Sequence, residues 1–328
     1  MLKAPQFWQS KGFVSTLLLP IAKLYQLLSQ RDLAKKARHA QSLPKPTIVI
    51  GNINLGGTGK TPATIALTMA LQEAGLKVGI LSRGFGRNNK TLQIVSEHST
   101  PEEIGDEPYL IFKKTKAPMA IDANRYNAGI ALLTTFPDID CFICDDALQH
   151  QQLKRDIEIV VVGKQGFGNG RIFPAGPLRE PPSRLQKADY ILSNNADISY
   201  LKTTTDKPII TLKSTLGTPI SLKESQPISF DELHKKPLTA IAGIAHPENF
   251  YTMLAEKGLH FEVCSFPDHY QFTEADLDPI KTSILMTEKD ATKCRHFNRN
   301  DLWAVPLENK ICSQFIDTLV AKIRDLTN

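Results

Sequence analysis

From Gly56 to Thr61 the chain reads Gly-Gly-Thr-Gly-Lys-Thr, a spacing suited to holding a polyphosphate. Glycine tolerates positive φ, so backbone N–H groups at Gly56, Gly57, Thr58 and Gly59 can turn together toward phosphate oxygens. Lys60 then reaches the β and γ phosphates, and Thr61 offers a hydroxyl to Mg²⁺ at a helix N-terminus. A second capable group is Asp145-Asp146, where the apolar run "DIDCFIC" discharges into two carboxylates. Acids so placed hold Mg²⁺ directly or through water, and His150 can hydrogen-bond in the same pocket. Phosphoryl transfer to an alcohol also needs a carboxylate that takes the hydroxyl proton. Asp106 in "GDEP" is a candidate, and by residue type Glu107, Asp122 or Asp146 would serve as well.

These residues need a scaffold that gathers them. "TIVIG" (47 to 51) is a β-branched run expected as a buried strand, and after the glycine loop Ile65, Leu67, Met69 and Leu71 keep helical spacing up to Gly75. Pro62 suits the first helical turn. The common G-x-x-x-x-G-K-[ST] pattern wants glycine at position 54, where the chain has Asn54. The core of the loop resembles the deviant P-loops of partitioning ATPases, although Leu55 stands where those carry a second lysine. Further strands are expected in "LKVGILSRGFG", "APMAID", "DIDCFICDD" and "IEIVVVG", alternating with helices. That alternation predicts an α/β fold of the P-loop NTPase type, a doubly wound and mostly parallel sheet whose ligands gather at the strands' carboxyl ends.

"GFGNGRIFPAGPLREPPSRL" (166 to 185) is a loop by composition and is expected to be the passage to a second unit. From about residue 190 the pattern restarts as a smaller α/β domain. The expected organisation is therefore a basic amphipathic helix region over 1–45, a P-loop core over 46–187 and the smaller domain over 188–328, the last segment either ending there or returning to the core.

The chain has 328 residues, 41% of them hydrophobic, enough for two cores, and five cysteines without a cleavable signal pattern, which favours a reducing compartment. Cys141 and Cys144 lie inside an apolar strand and are expected in the core. Of the net charge of +5, the first 50 residues carry +7 and the rest −2, which argues against a general nucleic-acid surface. The basic end is also oily. Phe13, Val14, Leu17, Leu18, Ile21, Leu24, Tyr25 and Leu28 share one helical face, with Ser15, Lys23 and Gln26 opposite. The run is too short and interrupted to span a bilayer. Periodicity leaves two readings open, a helix lying in a membrane interface with Trp8 and the flanking basic residues, or a helix packed on its own domain.

Eight segments, in order, carry a family resemblance: "GNINLGGTGKTP", "SRGFG", "GDEP", "DDALQH", "PAGPLRE", "GIAHPENF", "FPDHYQF" and "TEKDATK". Together they resemble the tetraacyldisaccharide 4'-kinases of lipid A biosynthesis over nearly the whole chain. The resemblance implies a two-domain, monotopic kinase, peripheral on the cytoplasmic face of the bacterial inner membrane. Such a kinase moves the γ-phosphate of ATP, with Mg²⁺, onto the 4'-hydroxyl of an acylated glucosamine disaccharide 1-phosphate. It further implies that Lys60 and Thr61 hold triphosphate and Mg²⁺, that Asp106 is the base, and that Asp145, Asp146 and His150 surround metal and nucleotide. Glu180 joins them, and His269 orients or tunes Asp106. Arg83, Arg125, Arg171 and Arg179 are the fork-shaped candidates for the substrate's 1-phosphate. A substrate with four acyl chains costs ~0.8 kcal/mol per CH₂ to draw from a bilayer, so the Phe13 to Leu28 face becomes a docking surface for an anionic membrane. No obligate protein partner is implied. Ala147 and Leu148 stand where the family more often has glycine and an aromatic. The rival is a membrane-associated nucleotide switch of the partitioning type, which needs neither Asp106 nor "FPDHYQF".

Overall fold

A computed structural model describes residues 5–87, 90–244, 246–268 and 270–327 of the chain. Strands β1 (Thr47–Gly51), β2 (Val78–Ser82), β3 (Gln93–Ile94), β4 (Met119–Ile121), β5 (Cys141–Cys144), β6 (Ile157–Gly163), β7 (Tyr190–Asn194) and β8 (Ile209–Thr211) form one sheet in the order 3-4-2-5-1-6-7-8. Neighbours pair in parallel except β3 with β4. β1, β2, β5 and β6 are buried along their whole length, as expected of strands covered on both faces.

Alternate residues of each strand serve the two covers. Ile48, Ile50, Ile143 and Ile159 pack with Ala63, Leu67 and Leu71 of the helix Lys60–Glu73 and with Phe315, Leu319 and Ile323 of the helix Ser313–Asp325. Val49, Leu81, Phe142 and Cys144 pack with Ala128 and Leu132 of the helix Arg125–Thr135. Burying each large aliphatic side chain contributes roughly 1.5–3 kcal/mol. Cys141 and Cys144 are buried in this core, and burial pushes both thiols up to about 12, so they are inert packing residues.

The segment expected to be a passage between domains is instead part of this unit. Phe167, Leu178 and Leu185 are fully buried against Ile53, Val160, Val162 and Ile191. Glycines and prolines supply the turns, and the few apolar residues between them fill the space under the loop. β7, expected beyond the boundary at 187/188, pairs onto β6 through Ile159–Tyr190 and Gly163–Asn194, and β8 pairs onto β7 through Ile191–Ile209 and Ser193–Thr211. A strand run names a strand, not the sheet it joins. By their contacts, the described residues of 5–213 and 309–327 make one compact unit and those of 214–308 the other.

In the second unit five strands, Ile220–Ser221, Leu238–Ala242, Glu262–Ser265, Ser283–Thr287 and Leu302–Val305, form a sheet that is parallel apart from the short first strand. Three of the motif segments follow the carboxyl ends of its parallel strands Leu238–Ala242, Glu262–Ser265 and Ser283–Thr287. Asp290, fully buried, accepts from the Gly243 N–H (2.9 Å) and the Thr287 hydroxyl (2.7 Å), while Lys293 donates to the Tyr270 carbonyl (2.9 Å).

At the N-terminus, α1 (Phe13–Leu17) and α2 (Leu19–Arg38) sit on the 167–176 loop by their small and polar side. Ser15, expected to face away from the apolar stripe, is buried and donates to the Ala175 carbonyl (2.6 Å), while Asn169 donates to Ser15 Oγ (2.9 Å) and to the Phe7 carbonyl (3.1 Å). Trp8 donates its indole N–H to the Pro174 carbonyl (3.0 Å). The oily residues point outward: Phe13 is 83% and Leu17 68% exposed, and Ile21, Leu24, Leu27 and Leu28 are exposed too. No helix among the described residues is long and apolar enough to cross a membrane.

Candidate active site

The glycine loop leaves β1, the central strand between β5 and β6, and enters the helix at Lys60. Gly56 and Gly59 take φ of +105° and +87°, the left-handed geometry that the loop requires. Gly59 is further constrained, because a Cβ there would lie 1.9 Å from Asn194 Nδ2 at the end of β7. That same amide donates to the Thr58 carbonyl (3.2 Å), and Asn52 donates to the Thr58 hydroxyl (2.9 Å) and the Gly56 carbonyl (3.3 Å). Two asparagines thus brace the loop. Asn194 carried no motif signal and was missed by the sequence reading.

The atypical first half of the loop has its own support. Leu55 donates its N–H to the Pro177 carbonyl and Arg179 donates its N–H to the Ile53 carbonyl, each at 2.7 Å, so residues 53–55 run antiparallel to 177–179. The Asn54 side chain reaches the Gly166 carbonyl (2.9 Å). Position 54 therefore needs a side chain that bonds, not the freedom of glycine.

Lys60 Nζ lies 3.6 Å from Asp146 Oδ1. Thr61 follows in the first helical turn, partly buried. Asp146 takes a positive φ of 44° just past β5, which turns its carboxylate into the open while Asp145 stays 3% exposed and accepts from the Thr64 hydroxyl (2.8 Å). Burial, then the Glu107 and Asp146 carboxylates, push Asp145 up to about 7 against the pull of Thr64 and Lys60. Asp145 and Asp146 put adjacent carboxylates beside Lys60 at the end of β5, oxygen donors of the kind a hard divalent cation takes, so the donor set fits Mg²⁺. Among the described residues no group of three or more His, Cys, Asp or Glu side chains is placed to hold a metal ion.

Asp106 and Glu107 open the helix Asp106–Thr115, which packs on the P-loop helix. The preceding Gly105 has φ of +93°, and a Cβ on it would come within 2.7 Å of the Phe85 carbonyl. The "SRGFG" and "GDEP" loops thus lie against each other. Asp122, the other acid considered as a base, has Oδ1 engaged by the Asn124 N–H (3.0 Å). His269 lies outside the described residues.

The remaining expected residues divide. Glu180 accepts from Gln149 (2.8 Å) and pairs with Arg184 (3.2 Å), and Arg179 donates to Gln149 (3.3 Å). His150 sits among cations: burial, then Arg125, Arg155, Arg83 and Lys36, bring its imidazole down to about 4, and its Nε2 is buried without a hydrogen-bond partner. Arg125 is 3% exposed and donates to the Asp122 and Ala123 carbonyls (3.1 and 3.4 Å), with Arg83, which is exposed, as an electrostatic neighbour. Arg171 is bound to Ser15 and Thr16 of α1 (2.9 and 3.0 Å). The four arginines therefore form no single cluster.

Comparison with known proteins places this arrangement. The family model "Tetraacyldisaccharide-1-P 4'-kinase" matches residues 14–324. The tetraacyldisaccharide 4'-kinase of Dechloromonas aromatica is 42% identical over 311 residues, 94% of this chain and 92% of its own. That of Pasteurella multocida is 40% identical over 330 residues, covering 98% of each chain. Among solved structures, the "apo" form LpxK from Aquifex aeolicus in complex with ATP superposes with a TM-score of 0.80 at 29% identity, covering 95% of this chain and 99% of that one.

Proposed function

The chain belongs to the tetraacyldisaccharide 4'-kinase family and is a kinase, and from that premise we propose how its residues carry out ATP- and Mg²⁺-dependent transfer of the γ-phosphate to the 4'-hydroxyl of an acylated glucosamine disaccharide 1-phosphate. The observation that carries the reading is the meeting of Lys60 with Asp146 at the carboxyl ends of adjacent strands, beside the buried Asp145 and the opening turn of the Asp106 helix. Backbone N–H groups of the braced loop and Lys60 hold the β and γ phosphates and neutralise charge that grows during transfer. Thr61, Asp145 and Asp146 would hold Mg²⁺, which when bound supplies charge neutralisation and alignment of the phosphate oxygens. Glu180 reaches that region through Gln149 and is a member of the same set. Asp106 takes the proton of the attacking hydroxyl, with His269 as the group that orients it.

The outward apolar side of α1 and α2, with Lys11, Lys23, Arg31 and Lys35 exposed beside it, supports docking on an anionic membrane, on the cytoplasmic face where ATP is supplied. Arg83 is the exposed candidate for the 1-phosphate. Asp106 and the acceptor-side arginines have no use in a partitioning-type switch, and the family match disfavours that rival. Incubating the protein with ATP, Mg²⁺ and an acylated disaccharide 1-phosphate should raise the lipid's mass by one phosphate. ATP hydrolysis with no change in lipid mass would return the switch reading.

A further inference from the structure

Gln149 directly follows the "DDAL" turn and has no assigned part in the chemistry above. Its side chain nonetheless joins three pieces of the nucleotide region. Nε2 donates both to the Asn52 carbonyl (3.0 Å), where the P-loop begins, and to Glu180 Oε1 (2.8 Å), while Oε1 accepts from the Arg179 guanidinium (3.3 Å). Glu180 in turn pairs with Arg184 (3.2 Å), and Arg184 donates to the buried Glu158 (2.7 Å), so the amide links the loop to a half-buried ion network.

We propose that Gln149 is a positioning residue for phosphoryl transfer, fixing the Glu180 carboxylate and the Arg179 guanidinium to the base of the P-loop. The role deepens the kinase reading and rests on it. A carboxamide suits this place because it offers two donor hydrogens and one acceptor in a single plane, and here two acceptors and one donor face it. Asparagine would fall one methylene short of Asn52 and Glu180 together. The backbone pairing of 53–55 with 177–179 holds one side of the loop, and Gln149 closes the neighbouring side.

The alternative is that Gln149 merely fills space, and side-chain substitutions separate the two. Glutamate has nearly the same volume but loses both donors and sets a second negative charge against Glu180. If Gln149 is a filler, Gln149→Glu should be milder than Gln149→Ala. If it positions, the order reverses, and Gln149→Met should resemble Gln149→Ala in spite of its size. ATP binding to the full-length protein with Mg²⁺, measured by calorimetry, should weaken roughly 10-fold in Gln149→Ala and Gln149→Met and toward 100-fold in Gln149→Glu, the range for charge-assisted hydrogen bonds. The KM for the lipid acceptor should stay near that of the wild type, which confines the effect to the nucleotide side. Thermal melting identifies any variant that fails to fold, and Gln149→Met then decides alone. Wild-type ATP affinity in Gln149→Met overturns the proposal, as does a milder effect for glutamate than for alanine. Neither result depends on lipid turnover, so failure here is distinct from failure of the kinase reading.

Discussion

Asp106 stands at the first position of its helix, held there by a glycine whose backbone a side chain cannot share with the Phe85 carbonyl. A carboxylate so placed should matter to the chemical step more than to nucleotide binding. Asp106→Ala is expected to lower kcat by ~10²- to 10⁴-fold with little change in ATP affinity, read from lipid phosphorylation and from nucleotide titration. A large rise in the KM for ATP with kcat intact would move Asp106 to the metal. His150 yields a different measurement. Its imidazole, brought down to about 4 by burial and the surrounding arginines, stays neutral in the folded protein where the unfolded chain protonates it near 6.5. Between those values the unfolded state binds the extra proton, so stability falls as pH falls from 6.5 to 4. Denaturation curves of His150→Gln should lose up to one proton's worth of this slope and match the wild type's slope above pH 7. The P-loop and the two aspartates were legible in the sequence because their chemistry needs rare combinations of residue types. Gln149 and Asn194 were not, since an amide in a turn or at a strand end is ordinary until its partners are known.

At the scale of elements, the 166–185 loop shows what composition conceals. Its glycines and prolines mark turns correctly, yet Phe167 is 1% exposed between Val160, Val162 and Leu201. Phe167→Ala should cost ~3–5 kcal/mol, seen as a lowered denaturant midpoint, whereas a linker residue would shift it by roughly 0.5 kcal/mol or less. β1, β2, β5 and β6 were readable as apolar runs, since a strand covered on both faces must be apolar throughout. That β7 and β8 extend the same sheet was not readable, because local sequence carries no record of which edge a strand will join. The seating of α1 and α2 inverts the ordinary arrangement: the small Ser15 and Ala22 meet the protein, while Phe13, Leu17 and Ile21 face out. Periodicity sees the stripe and cannot see which side has a neighbour.

For the molecule as a whole, α1, α2 and the nucleotide loop belong to one unit, with the second unit inserted between residues 213 and 309. Vesicles of anionic lipid should sediment the protein, and Lys11→Glu with Lys23→Glu should weaken this in a salt-sensitive manner; unchanged pelleting would place the docking surface elsewhere. The twelve residues from Asn169 to Glu180 lie between these two sites. At one end they bond to Phe7, Trp8 and Ser15, and at the other to Ile53, Leu55 and Gln149. If membrane contact shifts this strap, thermodynamics demands reciprocity: the factor by which vesicles tighten ATP binding must equal the factor by which ATP tightens vesicle binding. Measured both ways on one preparation, equal factors above unity would make the strap a lever through which a bilayer readies the kinase, and a factor of one would make it a rigid strut.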